Sequence, residues 1–329
     1  LLKCEDKEAM HREIIERLSG ITEEEQEILD GQQGINKGIY TQKSELVIDR
    51  DKLLEKGKLI QLRTHTRFVH FPKHRHNYVE LTYMCSGQTT HIINGEEVIL
   101  RTGDLIFLNQ NAVQEILPAT KDDIAVNFII LPEFFNTAFD MMKGEESLLK
   151  DFLIDSLGKG AHNASFLHFL VADVLPIQNL VENLIWGLLN DQIGKRSSNQ
   201  ITMGLLLLQL LNHLDKMESG ADAYEREFTI TVLNYIENNY KDGTLGELSE
   251  LLNKDVFWVS KEIRKRTGKT YKELLQGKRL SQATYLLTNS RMPVADIITA
   301  IGYDNSSYFF RIFKKRFGIS PKEYREHGK

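Results

Sequence analysis

Lys265-Arg266-Thr267-Gly268-Lys269-Thr270-Tyr271-Lys272-Glu273-Leu274 returns 50 residues downstream as Lys315-Arg316-Phe317-Gly318-Ile319-Ser320-Pro321-Lys322-Glu323-Tyr324, with Lys, Arg, Gly, Lys and Glu shared at five of ten positions. Each copy closes a short basic helical stretch that follows a shorter apolar one. A supporting helix followed by a basic helix is the pattern of a helix-turn-helix, and here it occurs in tandem. The second helix of such a unit is the one that can lie in a major groove, so the pattern points to DNA.

The charge distribution agrees once it is divided along the chain. The whole chain of 329 residues carries a net charge of -5. From Phe228 onward there are 18 Lys and Arg against 11 Asp and Glu, a balance of +7; residues 1–227 hold 23 against 35, a balance of -12. Attraction to phosphate depends on the local field, so one acidic body carries one basic end.

In the first unit Leu245, Leu248, Leu251 and Leu252 lie on the support helix, Asn253-Lys254-Asp255 form the turn, and the basic helix runs from about Val256 to Arg266. Val256, Val259 and Ile263 share one face and are expected to point inward. At about 100° per residue Phe257, Trp258, Lys261, Arg264 and Lys265 fall on the opposite face. Two aromatics among three cations are unusual for a merely solvated surface. A long helix from about Tyr271 to Leu287, N-capped by Thr270, would bridge two small cores through Leu274, Leu275, Ala283, Leu286 and Leu287. In the second unit Val294, Ile297, Ile298 and Ile301 support, Pro293 opens the helix and Gly302 ends it. The second basic helix starts at Asp304 or Asn305, with Phe309, Ile312 and Phe313 inward and Ser306, Ser307, Phe310, Arg311 and Lys314 outward.

These residues resemble the AraC/XylS family of transcription regulators. The resemblance is carried by Ile301 to Lys315 and by Phe317-Gly318-Ile319-Ser320-Pro321-Lys322-Glu323-Tyr324-Arg325, and it extends over roughly the last 100 residues. It implies that both basic helices enter successive major grooves, which places them roughly 34 Å apart. Position by position, it implies that Phe257, Ser260 and Lys261 meet base edges from the first helix, and Ser306, Ser307, Phe310 and Arg311 from the second. Arg311 suits guanine O6 and N7, and Phe257 and Phe310 suit thymine methyls. Lys265, Lys269, Lys314 and Lys315 suit phosphate, with Trp258 and Arg264 beside them in the interface. Family members usually carry a small or polar residue where Phe257 and Trp258 stand.

Upstream, residues 45–133 alternate like strands, with turn signals at Ser86-Gly87 and Asn94-Gly95, and suggest a small barrel. His74, His76, Glu80 and Gly87 follow an H-x-H-x3-E-x6-G spacing that resembles the first motif of the cupin fold, and Gly103-Asp104-Leu105 resembles the opening of the second. Metal-binding cupins add a later histidine; that position falls on or near Gln114, and an amide oxygen replaces imidazole poorly on a transition metal. No metal and no cofactor are therefore expected. Two other readings stay open: the histidines sit at a loop mouth and bond backbone, or His74, His76, Glu80, Gln114 and Asn127 line a pocket for a small polar effector, a sugar or another metabolite. Thr82 and Met84 are expected on the side of Glu80, with Ala125 and Asn127 facing them.

The resulting fold class is multi-domain α+β. Residues 1–44 form a helical extension, with a capping box at Thr22-Glu23-Glu24-Glu25, expected to be solvated, while a cover over the pocket and a contact with a partner stay open as alternatives for its acidic helices. Residues 45–133 form the cupin-like effector barrel and 134–218 a helical linking and dimerisation segment. A polar linker at 219–227 leads into the all-α DNA-binding domain at 228–329. Leu180, Leu184, Ile185 and Leu188, and Leu207, Leu210, Leu211 and Leu214, form stripes that fit either a core or a dimer seam. Cys4 and Cys85 have no paired spacing, which fits a reducing cytoplasm. The opening residues lack a signal-peptide layout and the most apolar run, Ile201 to Leu211, is too short to span a bilayer, so no membrane partner is expected. The expected protein is not an enzyme but an effector-controlled regulator, an activator and homodimer on promoter DNA, with RNA polymerase a further candidate partner. Its rivals are a metal cupin enzyme using His74, His76 and Glu80, and a DNA-binding protein whose barrel serves only to dimerise.

Overall fold

The computed structural model describes residues 5–42, 46–141, 166–218 and 223–327. The chain divides into two units, one holding the described residues up to 218 and the other those from 223. Cys4, residues 142–165 of the expected helical segment and residues 219–222 of the expected linker lie outside the described residues.

The first unit begins with helices α1 (Glu5–Leu18), α2 (Glu23–Leu29) and α3 (Lys37–Tyr40), strand β1 (Val47–Ile48) and the single turn α4 (Arg50–Leu53). Strands β2 (Ile60–Thr64), β3 (Phe71–His76), β4 (Val79–Ser86), β5 (Gln88–Ile93), β6 (Glu96–Arg101), β7 (Leu105–Leu108), β8 (Gln114–Ile116) and β9 (Ile124–Ile130) follow. Next come α5 (Asn136–Met141), β10 (Phe166–Phe169), α6 (Leu175–Leu189), α7 (Lys195–Leu211) and β11 (Met217–Glu218). The strands form two sheets, ordered β1-β3-β8-β5-β6 and β11-β10-β7-β4-β9-β2. Their inner faces share a core in which Met84, Ile106, Leu108 and Phe166 of one sheet meet Ile93, Val98 and Leu100 of the other. The β5–β6 hairpin turns at Asn94 and Gly95 with φ of 55° and 92°, the left-handed pair that a two-residue connection demands. On β4, Thr82 pairs with Asn127 and Met84 with Ala125, the facing arrangement read from alternation.

Two expectations about this unit are corrected. The segment 134–218 is not wholly helical, because β10 and β11 extend the six-stranded sheet. Phe166-Leu167-His168-Phe169 is buried on both faces and so carries no period-two signature. The N-terminal extension is not solvated either. Ile14 and Leu18 are buried, His11 Nδ1 meets Glu182 Oε1 of α6 at 2.8 Å, and Arg17 donates to Asn190 Oδ1 at 2.9 Å. Glu25 closes the capping box of α2 with Thr22, and its carboxylate also takes Arg67 Nε at 2.7 Å and a second guanidinium nitrogen at 2.9 Å, both residues being buried. Arg67 donates further to the carbonyls of Ser19, Gly20 and Lys121, so it ties the α1–α2 turn to the barrel.

The second unit is all helical: α8 (Ala223–Asn239), α9 (Leu245–Leu251), α10 (Val256–Thr267), α11 (Tyr271–Asn289), α12 (Val294–Ala300), α13 (Ser306–Phe317) and α14 (Pro321–His327). Helix α8 starts five residues before the expected domain boundary at Phe228, since Ala223-Tyr224-Glu225-Arg226-Glu227 suits a helix although its polarity reads as linker. Side chains fix the helix starts: Thr244 and Thr270 form capping boxes with Glu247 and Glu273, Asp255 caps α10 and Asn305 caps α13. One core gathers Phe228, Val232, Ile236, Leu248, Val259 and Ile263, and the other Ile297, Ile298, Ile301, Phe309 and Phe313. Helix α11 belongs to both, giving Tyr271 and Leu274 to the first and Leu280, Ala283 and Leu287 to the second. Arg279 at its middle donates to the carbonyls of Tyr240 at 2.7 Å and Lys241 at 2.8 Å. Gly302 presses on the same point: it has φ +83°, and a Cβ there would fall 2.2 Å from the Lys241 oxygen.

Candidate DNA interface and effector cavity

Both basic helices show the same division of faces. On α10, Val259 and Ile263 are fully buried, while Phe257 is 84% exposed and Lys261, Arg264 and Lys265 are exposed. On α13, Phe309 and Phe313 are buried, and Ser306, Ser307, Phe310, Arg311, Lys314 and Lys315 are exposed. Ser260 is half-buried at the edge, and Lys269 is exposed just beyond α10. The Arg311 guanidinium lies 5.4 Å from the centre of the Tyr308 ring, which restricts its directions and leaves its edge for an acceptor pair. Lys265 shares Glu262 with Arg266, each at 3.4 Å, so its charge is partly compensated.

Two residues depart from the helical wheel. Trp258 does not join the exposed face; it packs edge-on against Phe228 at 5.5 Å in the first core, with the Lys254 ammonium 5.7 Å from its ring. Val256 is 39% exposed, because it opens α10 with no turn before it to cover its side chain. Leu251 on the support helix is exposed as well. The wheel gives a side chain's direction, and what waits in that direction comes from α8, about 30 residues away.

In the first unit, His74, His76, Glu80 and Asn127 line one cavity between the sheets, together with His65, Tyr40 and Arg63. Gln114 does not line it; its Nε2 bonds His91 Nδ1 at 2.7 Å, and its Oε1 has no partner. Sequence reasoning missed His91, although Thr89, His91 and Ile93 show the alternation of a buried strand face. His65, Tyr40 and Arg63 carry no such signal, since they come from outside the H-x-H stretch. His76 Nε2 stands 3.5 Å from Glu80 Oε1, and its Nδ1 has no partner. Thr82 Oγ1 donates to Asn127 Oδ1 at 3.2 Å.

Burial governs the protonation of this cavity. It raises the Glu80 pKa to about 8 and lowers those of His65 and His74 to about 4, and it holds His76 and His91 well below the usual histidine value. At neutral pH Glu80 and the histidines are therefore uncharged donors and acceptors, and the cation in the lining, Arg63, is paired with Glu24 at 3.2 Å. The cavity measures about 40 Å³, room for a few waters and far below the several hundred Å³ of a typical ligand site. Tyr40 of α3 and Leu53 of α4 help to fill it, and Tyr40 is held by its hydroxyl donating to Glu24 Oε2 at 2.6 Å. Among the described residues, no three His, Cys, Asp or Glu side chains are grouped to hold a metal ion. No helix among the described residues is long and apolar enough to cross a membrane.

Two families match this chain. The AraC-like ligand binding domain covers residues 59–211, and a helix-turn-helix domain covers residues 248–327. The HTH-type transcriptional activator RhaR of Mannheimia succiniciproducens is 23% identical over 256 residues, 78% of this chain and 87% of the relative. The HTH-type transcriptional activator RhaS of Yersinia pestis is 24% identical over 259 residues, 78% of this chain and 89% of the relative. A solved apo form of ToxT from Vibrio cholerae aligns at 14% identity with a TM-score of 0.38, over 83% of this chain and 98% of that one.

Proposed function

The chain belongs to the AraC family of transcription regulators, with a ligand-binding domain and a helix-turn-helix domain, and from that footing we propose that it activates transcription when a neutral polar effector occupies the barrel cavity. Its relatives are regulators, and it is not an enzyme. In this reading α10 and α13 enter the major groove of promoter DNA. Phe257, Lys261 and Arg311 contact base edges, and Arg264, Lys265, Lys269, Lys314 and Lys315 contact phosphates. The chain works as a homodimer on paired half-sites, where the second contact gains from effective concentration. RNA polymerase is the partner through which an activator would act.

The observation that carries the DNA part is the matched exposure of one cationic and aromatic face on each basic helix, over two separate buried cores. The effector part rests on four expected polar residues converging on one cavity in which Glu80 and the histidines are uncharged at neutral pH. Hydroxyl-rich ligands suit such a lining better than ions do. At about 40 Å³ the cavity must enlarge to admit a sugar, and Tyr40 of α3 and Leu53 of α4 are wall residues supplied from before β2. A melting-temperature screen of the full chain against sugars, amines and fatty acids tests this through linkage. A sugar that raises the transition, and whose effect Asn127→Leu removes, supports the barrel site. DNA affinity indifferent to every metabolite in the screen would favour the rival in which the barrel serves only to dimerise, a reading supported by the cavity's small volume.

A further inference from the structure

A second cavity of the first unit lies outside the barrel and is ten times larger, at about 400 Å³, within the range of small-molecule sites. Its apolar wall comes from the edge strand β2 through Ile60 and Leu62, from Phe134, and from Leu188 and Leu189 at the end of α6. Its polar groups come from the start of α7, through Lys195, Arg196 and Asn199, and from β2 and its approach, through Gln61 and Glu55, whose carboxylate is paired with Lys58 at 2.7 Å.

Three observations at the start of α7 point to an anion. Helix α7 runs for 17 residues and begins after Gly194 with no side chain capping it; the Lys195 amide donates to the Gln192 carbonyl at 3.2 Å, which leaves the Arg196 and Ser197 amides and the positive end of the helix dipole. Arg196 is exposed and has no ion pair, while Lys195 is held by the Leu188 carbonyl at 3.1 Å and by the solvent-exposed Asp191 at 3.4 Å. Asn199, one turn into the helix, is only 3% exposed and lines the cavity, and its side-chain amide makes no hydrogen bond. A buried amide with no partner is destabilising, so it marks a place where something else completes the bonding. Gly187 makes room for it, since a Cβ there would stand 2.3 Å from Asn199 Oδ1.

We propose that this cavity is a second ligand site, for a small monocarboxylate with an apolar body. The carboxylate sits at Arg196, Asn199 and the first-turn amides of α7, and the hydrocarbon lies along Phe134, Leu188 and Leu189. Inorganic phosphate would leave the apolar wall in water, and a sugar would leave its hydroxyls unpaired against that wall. The site is separate from the barrel cavity, and the proposal does not rest on an effector binding there.

The test is calorimetry and thermal melting of the full chain with octanoate, with 1-octanol and inorganic phosphate as controls. Octanoate should bind saturably and raise the melting temperature, with neither control matching it. Arg196→Glu, at an exposed position that leaves the fold intact, should weaken octanoate at least about tenfold. Absence of a saturable octanoate response, an equal response to phosphate or to octanol, or unchanged affinity in Arg196→Glu each overturns the assignment. A response abolished by Glu80→Gln and untouched by Arg196→Glu would place the anion in the barrel and overturn it as well. Octanoate failing while a sugar still binds at the barrel would sink this proposal alone.

Discussion

Gly302→Ala should loosen the joint that holds the two helix-turn-helix units of the DNA-binding domain together. Two costs add at this position. The backbone φ of +83° is the left-handed region, which costs an alanine about 1 kcal/mol. The new Cβ would also stand 2.2 Å from the Lys241 oxygen and 2.9 Å from its carbonyl carbon, both backbone atoms, so the chain itself must shift by about an ångström. That movement disturbs the acceptors of Arg279, and overpacking of this kind costs about 1–3 kcal/mol. Gly318 provides the control, because its φ is +80° while nothing lies within 4 Å of its Cβ position. Gly318→Ala should therefore lose about 1 kcal/mol and Gly302→Ala about 2–4 kcal/mol. Denaturant unfolding followed by hydrogen exchange on the helical unit reads both. DNA affinity should fall more for Gly302→Ala than for Gly318→Ala when measured on paired grooves. Equal losses in the two variants would refute the reasoning, for they would mean that the close approach to Lys241 carries no strain.

Arg67→Ala strands the fully buried Glu25 carboxylate and should cost about 3–5 kcal/mol, seen as a lower melting temperature of the first unit; a loss under 1 kcal/mol would show that water reaches the pair. Trp258→Ala should destabilise the helical unit by about 3 kcal/mol, whereas Phe257→Ala should leave unfolding unchanged and weaken only DNA binding. Arg311→Ala should cost about 1–3 kcal/mol on cognate DNA and relax specificity at one base pair; an equal loss on random DNA in gel shifts would remove the base-reading role. The first unit should be most stable at about pH 7, where the protons that the unfolded chain still takes up at the four buried histidines balance the one that Glu80 keeps. Between 6.5 and about 4 the unfolded chain takes up protons that buried His65 and His74 refuse, so acid destabilises by about 3 kcal/mol per histidine at most. From 4.5 to about 8 the unfolded chain releases the proton that Glu80 keeps, so stability declines on the alkaline side once the histidines are neutral. Melting temperature against pH would show this optimum, and Glu80→Gln should flatten the alkaline limb; a curve rising steadily to pH 8 contradicts the Glu80 assignment.

The helical half was readable because its punctuation is local. Thr244, Thr270 and Asp255 cap within three residues, and the glycines after α10, α12 and α13 adopt the left-handed turn that ends a helix. Trp258 was misplaced because a wheel cannot see Phe228 across the domain. In the barrel, period two gave the inward set on β4 and β9, and the H-x-H spacing found three cavity residues. The turning of Gln114 towards His91 depends on register between β5 and β8, and the cavity's small volume depends on Tyr40 and Leu53, which enter from segments outside the barrel strands. Strand β10 escaped because an apolar run buried on both sides has no period to read.

Glu25 completes its own helix start and satisfies the Arg67 guanidinium in the same conformation, so α2 cannot fray without releasing a buried cation. The match to the ligand-binding family begins at residue 59, well after that carboxylate. A fragment trimmed to the family boundary would thus retain Arg67 and lose its counterion, together with the Ser19 and Gly20 carbonyls that share it. Such a fragment would be handicapped from the outset, and its poor solubility or failure to crystallise would reflect the choice of cut and say nothing about the barrel itself.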